Sequence, residues 1–143
     1  EKMHNASCIA GMAFTNAFLG INHSLAHKLG GEFHIAHGRA NAILLPTVME
    51  FNADATGEKY KDIAKAMGVE GVDAMSMDEY RKAAVDAVKK LSCDVGIPAD
   101  LKEIVDPADI QFLAESAVAD ACSPGNPKSA TLEDIIGLYN KLM

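Results

Sequence analysis

Between residues 77 and 95 the apolar side chains Met77, Tyr80, Ala84, Ala87, Val88, Leu91 and Val95 fall almost entirely at spacings of three and four. Asp78, Arg81, Lys82, Asp86, Lys89 and Lys90 fill the positions between them. One apolar stripe on a 3.6-residue period is an amphipathic α-helix with a solvated back, and Gly96 and Pro98 stop it. The period recurs. Pro107, suited to a first helical turn, opens a stripe at Ile110, Leu113, Ala114, Ala117, Val118 and Ala121. Thr131, with Asp134 three residues on, opens another at Leu132, Ile135, Ile136, Tyr139 and Leu142. A shorter helix is expected over residues 57–67. No segment alternates with period two for long enough to make a strand. The expectation is an all-α fold of six to eight helices.

The first fifty residues differ in character. Residues 8–19 are apolar or small nearly all round, which predicts a helix in the interior. A further apolar helix is expected over residues 39–53, kinked or broken at Pro46, which cannot donate to the carbonyl of Ala42. Gly30 and Gly31 predict a loop over residues 30–36 that separates two histidine-bearing segments, and residues 122–127 read as turn.

With 143 residues the chain is one domain, and 49% hydrophobic against 23% charged residues is an ordinary globular composition. Thirteen basic and twenty acidic side chains leave a formal charge of −7, which argues against nucleic acid as a partner. No apolar run reaches the roughly 18 residues of a membrane span. Cys8, Cys93 and Cys122 are scattered, with no CxxC pair, which suits a reducing, cytoplasmic setting better than a disulfide framework. The chain opens on Glu1 rather than methionine, so a preceding segment is expected.

Four of the five histidines lie within fifteen positions, and three of them, His23, His27 and His37, form the candidate set. Four residues on a helix bring His23 and His27 to one face, and a loop before His37 can fold its ring toward them. Imidazole is the commonest side-chain ligand for divalent transition metals. A lone histidine is more often a satisfied, partly buried residue; three together weigh toward metal binding or catalysis. Catalytic metal sites take three or more protein ligands, often with a carboxylate. There is no HExxH, and the nearest acid, Glu32, is expected to face solvent, so the chain is expected to hold only part of a site. His4 and His34 are expected at the surface.

The stretch Gly20-Ile-Asn-His-Ser-Leu-Ala-His-Lys-Leu-Gly30, followed by His37-Gly-Arg-Ala-Asn-Ala-Ile-Leu-Leu-Pro46, resembles the signature of the iron-containing (group III) alcohol dehydrogenases. The likeness extends to Gly11-Met-Ala-Phe14, Cys122-Ser-Pro-Gly-Asn-Pro127 and Thr131-Leu-Glu-Asp-Ile-Ile136. Lys2-Met-His-Asn-Ala-Ser7 and Gly31-Glu-Phe-His34 lean toward the alcohol dehydrogenase module of bifunctional aldehyde–alcohol dehydrogenases, although Ala36 stands where those carry proline. The resemblance implies the all-helical C-terminal domain of the dehydroquinate synthase-like fold, spanning residues 1–143. The family's N-terminal domain, which binds the nicotinamide dinucleotide, has no counterpart here. Family members hold Fe²⁺, or sometimes Zn²⁺, with an upstream aspartate and histidine plus two histidines that match His23 and His37. His27 matches a cleft histidine near the nicotinamide, and Phe14 and Cys122 match positions bordering the substrate pocket. The implied activity is NAD- or NADP-linked interconversion of small alcohols and aldehydes by a homo-oligomer, with this chain inactive alone. Two other readings stand beside it: a non-catalytic helical binding or assembly module, and a metallohydrolase using all three histidines on one ion.

Overall fold

The structure, a computed structural model, describes residues 1–143. Seven α-helices follow one another with no strand: α1 Lys2–Ala17, α2 Ile21–Phe33, α3 His37–Asn52, α4 Lys59–Ala66, α5 Met77–Asp94, α6 Ile110–Val118 and α7 Leu132–Asn140. None is long and apolar enough to cross a membrane.

The starts of α5 and α7 are written in the sequence. Ser76 accepts from the Glu79 N–H while the Glu79 carboxylate accepts from the Ser76 N–H, and Thr131 and Asp134 make the same reciprocal cap. Gly96, at φ 76, takes the left-handed conformation just beyond α5.

Two cores result. The larger joins α2, α3, α6 and α7 around Leu25, Leu29, Leu44, Leu113, Ile135 and Tyr139. Its one buried hydroxyl from α7, on Tyr139, donates to the Leu25 carbonyl at 2.9 Å. The smaller core joins α3, α4 and α5 around Met49, Tyr60, Ala64, Tyr80 and Val85. Tyr60 donates to the Met49 carbonyl at 2.7 Å, and burial pushes its phenol up to about 12.

Several expectations need correction. Residues 8–17 do form helix, with Phe18 and Leu19 beyond its end, but none of α1 is buried: Met3 is 81% exposed, Ile9 62% and Met12 58%, and the capping Phe18 is 78% exposed. An all-round apolar pattern says that a helix wants cover, and nothing within these 143 residues supplies it. Gly30 and Gly31 do not break α2, which runs on to Phe33. A helical glycine costs about 1 kcal/mol, but stopping early would free Phe33 and Ile35 from the larger core on which they pack. The left-handed cap falls instead on His34, at φ 54. Glu32 is therefore helical rather than in a loop; it is exposed, as are His4 and His34. Pro46 does not break α3, which is continuous across it.

The stripe of α5 is buried only along its first half. Tyr80 and Ala84 are interior together with Val85, which the stripe omitted, whereas Leu91 and Val95 project past the smaller core and are exposed. The segment from Pro107 begins as a 3₁₀ turn, becomes α6 at Ile110 and ends at Val118. Val118 and Ala121 are thus exposed. Ending there lets the following turn fold back over α2.

Candidate metal centre and cleft

The hydrophobic stripe of α2 (Ile21, Leu25 and Leu29) faces the larger core, and this leaves His23 and His27 on a flank of the helix. The short link at residues 34–36 returns the chain so that His37 opens α3 beside them. The three rings converge. His23 and His37 have centroids 5.3 Å apart, His27 and His37 5.8 Å, and His23 and His27 6.1 Å. Phe14 of α1 lies against the same group, 6.3 Å from His23.

Burial, and then the neighbouring His37 and His27 rings, lower the His23 pKa from its ordinary value; Asp120 pulls the other way. A neutral imidazole keeps a lone pair for an electrophile. Imidazole nitrogens bind divalent ions at about 2.1 Å, which sets the centroids of two ligand rings about 5 Å apart. The His23–His37 pair fits such an ion as part of its ligand set. Asn41 orients His37: its amide nitrogen donates to the His37 carbonyl at 3.0 Å and lies 3.2 Å from Nε2. Asn22 in turn donates to Asn41 Oδ1 at 2.8 Å.

His27 is tied elsewhere. Its Nδ1 lies 2.8 Å from Asp120 Oδ2, in the turn after α6. Burial alone would raise the Asp120 carboxyl, but hydrogen bonds from His27 and from the Cys122 N–H hold it below the ordinary carboxylate value. An ionised carboxylate only accepts, so Nδ1 carries a proton, and in a neutral imidazole Nε2 is then the nitrogen with the lone pair. Asp120 Oδ1 accepts from the Cys122 N–H at 2.8 Å and lies 3.2 Å from the buried Ser24 hydroxyl. Burial, and then Asp120, raise the Cys122 thiol.

Phe14 and Cys122 share a cleft of about 590 Å³ with Phe18, Leu19, Pro124 and Gly125. Its floor depends on a close approach of two turns. Phe18 sits at φ 65, where a side chain of its size is strained, and swings the chain from α1 into α2. The 122–127 turn docks beneath this link. Asn126 Oδ1 accepts from Asn52 Nδ2 at 3.0 Å and from the Ile21 N–H at 3.4 Å; Asn126 Nδ2 donates to Asn52 Oδ1 and to the Lys128 carbonyl, both at 2.7 Å. Sequence reasoning missed Asp120, Ser24, Asn126 and Asn52. The signal available was the polar density around Cys122 within a turn whose glycine and prolines were already evident.

Comparisons with known proteins agree with this architecture. Residues 1–143 match the Fe-containing alcohol dehydrogenase family, C-terminal. The lactaldehyde reductase of Escherichia coli (strain K12) is 53% identical over 141 residues, 98% of this chain and 37% of that protein. The aldehyde-alcohol dehydrogenase of Streptococcus pneumoniae serotype 4 is 43% identical over 148 residues, 90% of this chain and 16% of that protein. A crystal structure of 1,3-propanediol oxidoreductase superposes with a TM-score of 0.93 at 40% identity, covering 96% of this chain and 36% of that one. The chain thus spans little more than a third of the first of these relatives. It belongs to the Fe-containing alcohol dehydrogenase family and matches that family's C-terminal region from its first residue to its last.

Proposed function

We propose that these 143 residues are the helical, metal-holding part of a metal-dependent, NAD(P)-linked oxidoreductase that interconverts primary alcohols and aldehydes. The observation that carries this reading is the convergence of His23, His27 and His37 beside the cleft of Phe14 and Cys122. The relatives named above are a reductase, a dehydrogenase and an oxidoreductase, which leaves the stand-alone assembly module without support.

His23 and His37 would hold Fe²⁺ or Zn²⁺, with the remaining ligands and the dinucleotide site supplied by a nucleotide-binding region outside these residues. When bound, such a cation supplies Lewis-acid polarisation of the substrate oxygen and the dinucleotide supplies hydride exchange. The chain's own residues handle position and proton. Phe14, Leu19 and Cys122 give a largely apolar wall that takes a small alcohol and displaces water from it. His27, with Nδ1–H held by Asp120, offers the Nε2 lone pair to the alcohol proton and returns that proton to an aldehyde being reduced.

The test is a chimera in which this chain replaces the matching region of the lactaldehyde reductase. His27→Ala should lower kcat about 100- to 10,000-fold while bound iron is unchanged. A kcat within about threefold of the parent would remove His27 from the proton path.

The bare face of α1 belongs to the same proposal, as a wall covered by the rest of the protein. In the 143-residue chain it should drive self-association. Sedimentation velocity should show mass growing with concentration, and Ile9→Lys with Met12→Lys should reverse it. A monomer at every concentration would contradict this.

A further inference from the structure

We propose that His27, Asp120 and Cys122 form a second cation site, distinct from the His23–His37 pair, which takes a soft divalent ion such as Zn²⁺ and blocks proton transfer by His27. The inhibitory consequence rests on the role of His27 proposed above; the site itself does not.

Each of the three residues offers one ligand atom, and these atoms all lie within 4.8 Å of one another. An imidazole, a carboxylate and a thiol form a donor set that favours Zn²⁺ or Co²⁺ over Mg²⁺ or Ca²⁺, which want oxygen alone. Asp120 and Cys122 stand two residues apart on one turn, and Asp120 already meets α2 through His27. The carboxylate is aimed. Its Oδ1 is engaged by the Cys122 N–H at 2.8 Å and by Ser24 at 3.2 Å, so Oδ2 is the oxygen left to bind. Ser24 is fully buried, the kind of outer support that fixes ligands in metal sites.

The ion would enter where the Nδ1 proton now lies. Nδ1 and Oδ2 are 2.8 Å apart, and flanking a tetrahedral Zn²⁺ ion at about 2.1 Å from each requires them to part to about 3.4 Å, roughly 0.6 Å further. Cys122 lines the cleft, so the fourth position of a tetrahedral ion opens to it. Binding releases the thiol proton to solvent. It also moves the imidazole proton from Nδ1 to Nε2, because a metallated Nδ1 cannot keep it. Nε2 then has no lone pair to accept a substrate proton.

The site is read with Co²⁺ in a chain carrying Cys8→Ser, Cys93→Ser, His23→Ala and His37→Ala, which leaves Cys122 as the single thiol and removes the other pair. A near-ultraviolet thiolate-to-cobalt band should appear on titration and vanish in the further variant Cys122→Ser, and Ser24→Ala should weaken binding about tenfold. Absence of the band in the folded protein would overturn the proposal, as would a band unaltered by His27→Ala or Asp120→Asn. Should that variant not fold, the unsubstituted chain serves. There Zn²⁺ should slow alkylation of Cys122 about tenfold or more but not of the exposed Cys8 and Cys93. Equal slowing of all three, or of none, would also overturn it. Loss of iron from the His23–His37 pair bears only on the function proposed above.

Discussion

Replacing Gly125 by alanine should destabilise the protein by about 3 kcal/mol or more and close part of the cleft. A Cβ built on Gly125 meets the Leu19 carbonyl oxygen at 2.1 Å and Phe18 Cβ at 3.3 Å. The first contact is with backbone, which cannot rotate away as a side chain can, so one of the two turns must move. Both are pinned. The 122–127 turn is held by the paired amides of Asn52 and Asn126, and the Leu19 link by the strained Phe18 and by Ile21, whose N–H also reaches Asn126. The expected fall in Tm is about 10 °C for a domain of this size. Gly137→Ala is the contrasting substitution. Gly137 lies within α7 with nothing inside 4 Å of its Cβ position, so alanine should stabilise there by up to about 1 kcal/mol. A Gly125→Ala protein melting within about 2 °C of the parent would show that the two turns do not meet as described.

That contact also marks where the sequence stops being informative. Gly20 and Gly125 stand out in the string of residues, one in the histidine signature and one in an obvious turn. The docking of the two turns on each other, Gly20 against Asn126 and Gly125 against Leu19, is invisible there, because 105 positions separate Ile21 from Asn126. Local order was easier. The cap at Thr131 and the three-and-four spacing of α7 are short-range physics and appear as read; the Ser76–Glu79 cap is equally local, but the stripe that began at Met77 passed over it. Tertiary packing overrode local preference at Gly30 and Gly31, where holding Phe33 and Ile35 against the core outweighed two poor helix formers. The same limit applies to the site. His23 and His27 share a helix face by geometry that any sequence reader can apply. Asp120, which sets the proton of His27 from 93 positions away, has no local mark. Residues 8–19 show the converse error, since an apolar surround records a need for burial without naming what meets it.

A large loss of activity should follow removal of either histidine proposed above to hold the metal. In the lactaldehyde reductase chimera, His23→Ala and His37→Ala should each empty the metal site. Both imidazoles come from this chain, and their rings are 5.3 Å apart, so neither has a neighbour that can take its place without displacing the other. His27, the nearest alternative, is held by Asp120 at 2.8 Å. Losing several kcal/mol of stabilisation of charge on the substrate oxygen corresponds to about a 1,000-fold or greater fall in turnover. Asn41→Ala, which frees the His37 ring without removing it, should weaken iron binding about tenfold and leave much of kcat at saturating iron. Iron content measured beside turnover in the purified parent, His23→Ala and His37→Ala chimeras is the direct test. The prediction is stoichiometric iron and alcohol-dependent NAD(P)H formation in the parent, with both lost together in each variant. Full iron and near-parental turnover in either variant would contradict the assignment of His23 and His37 as the metal-holding pair.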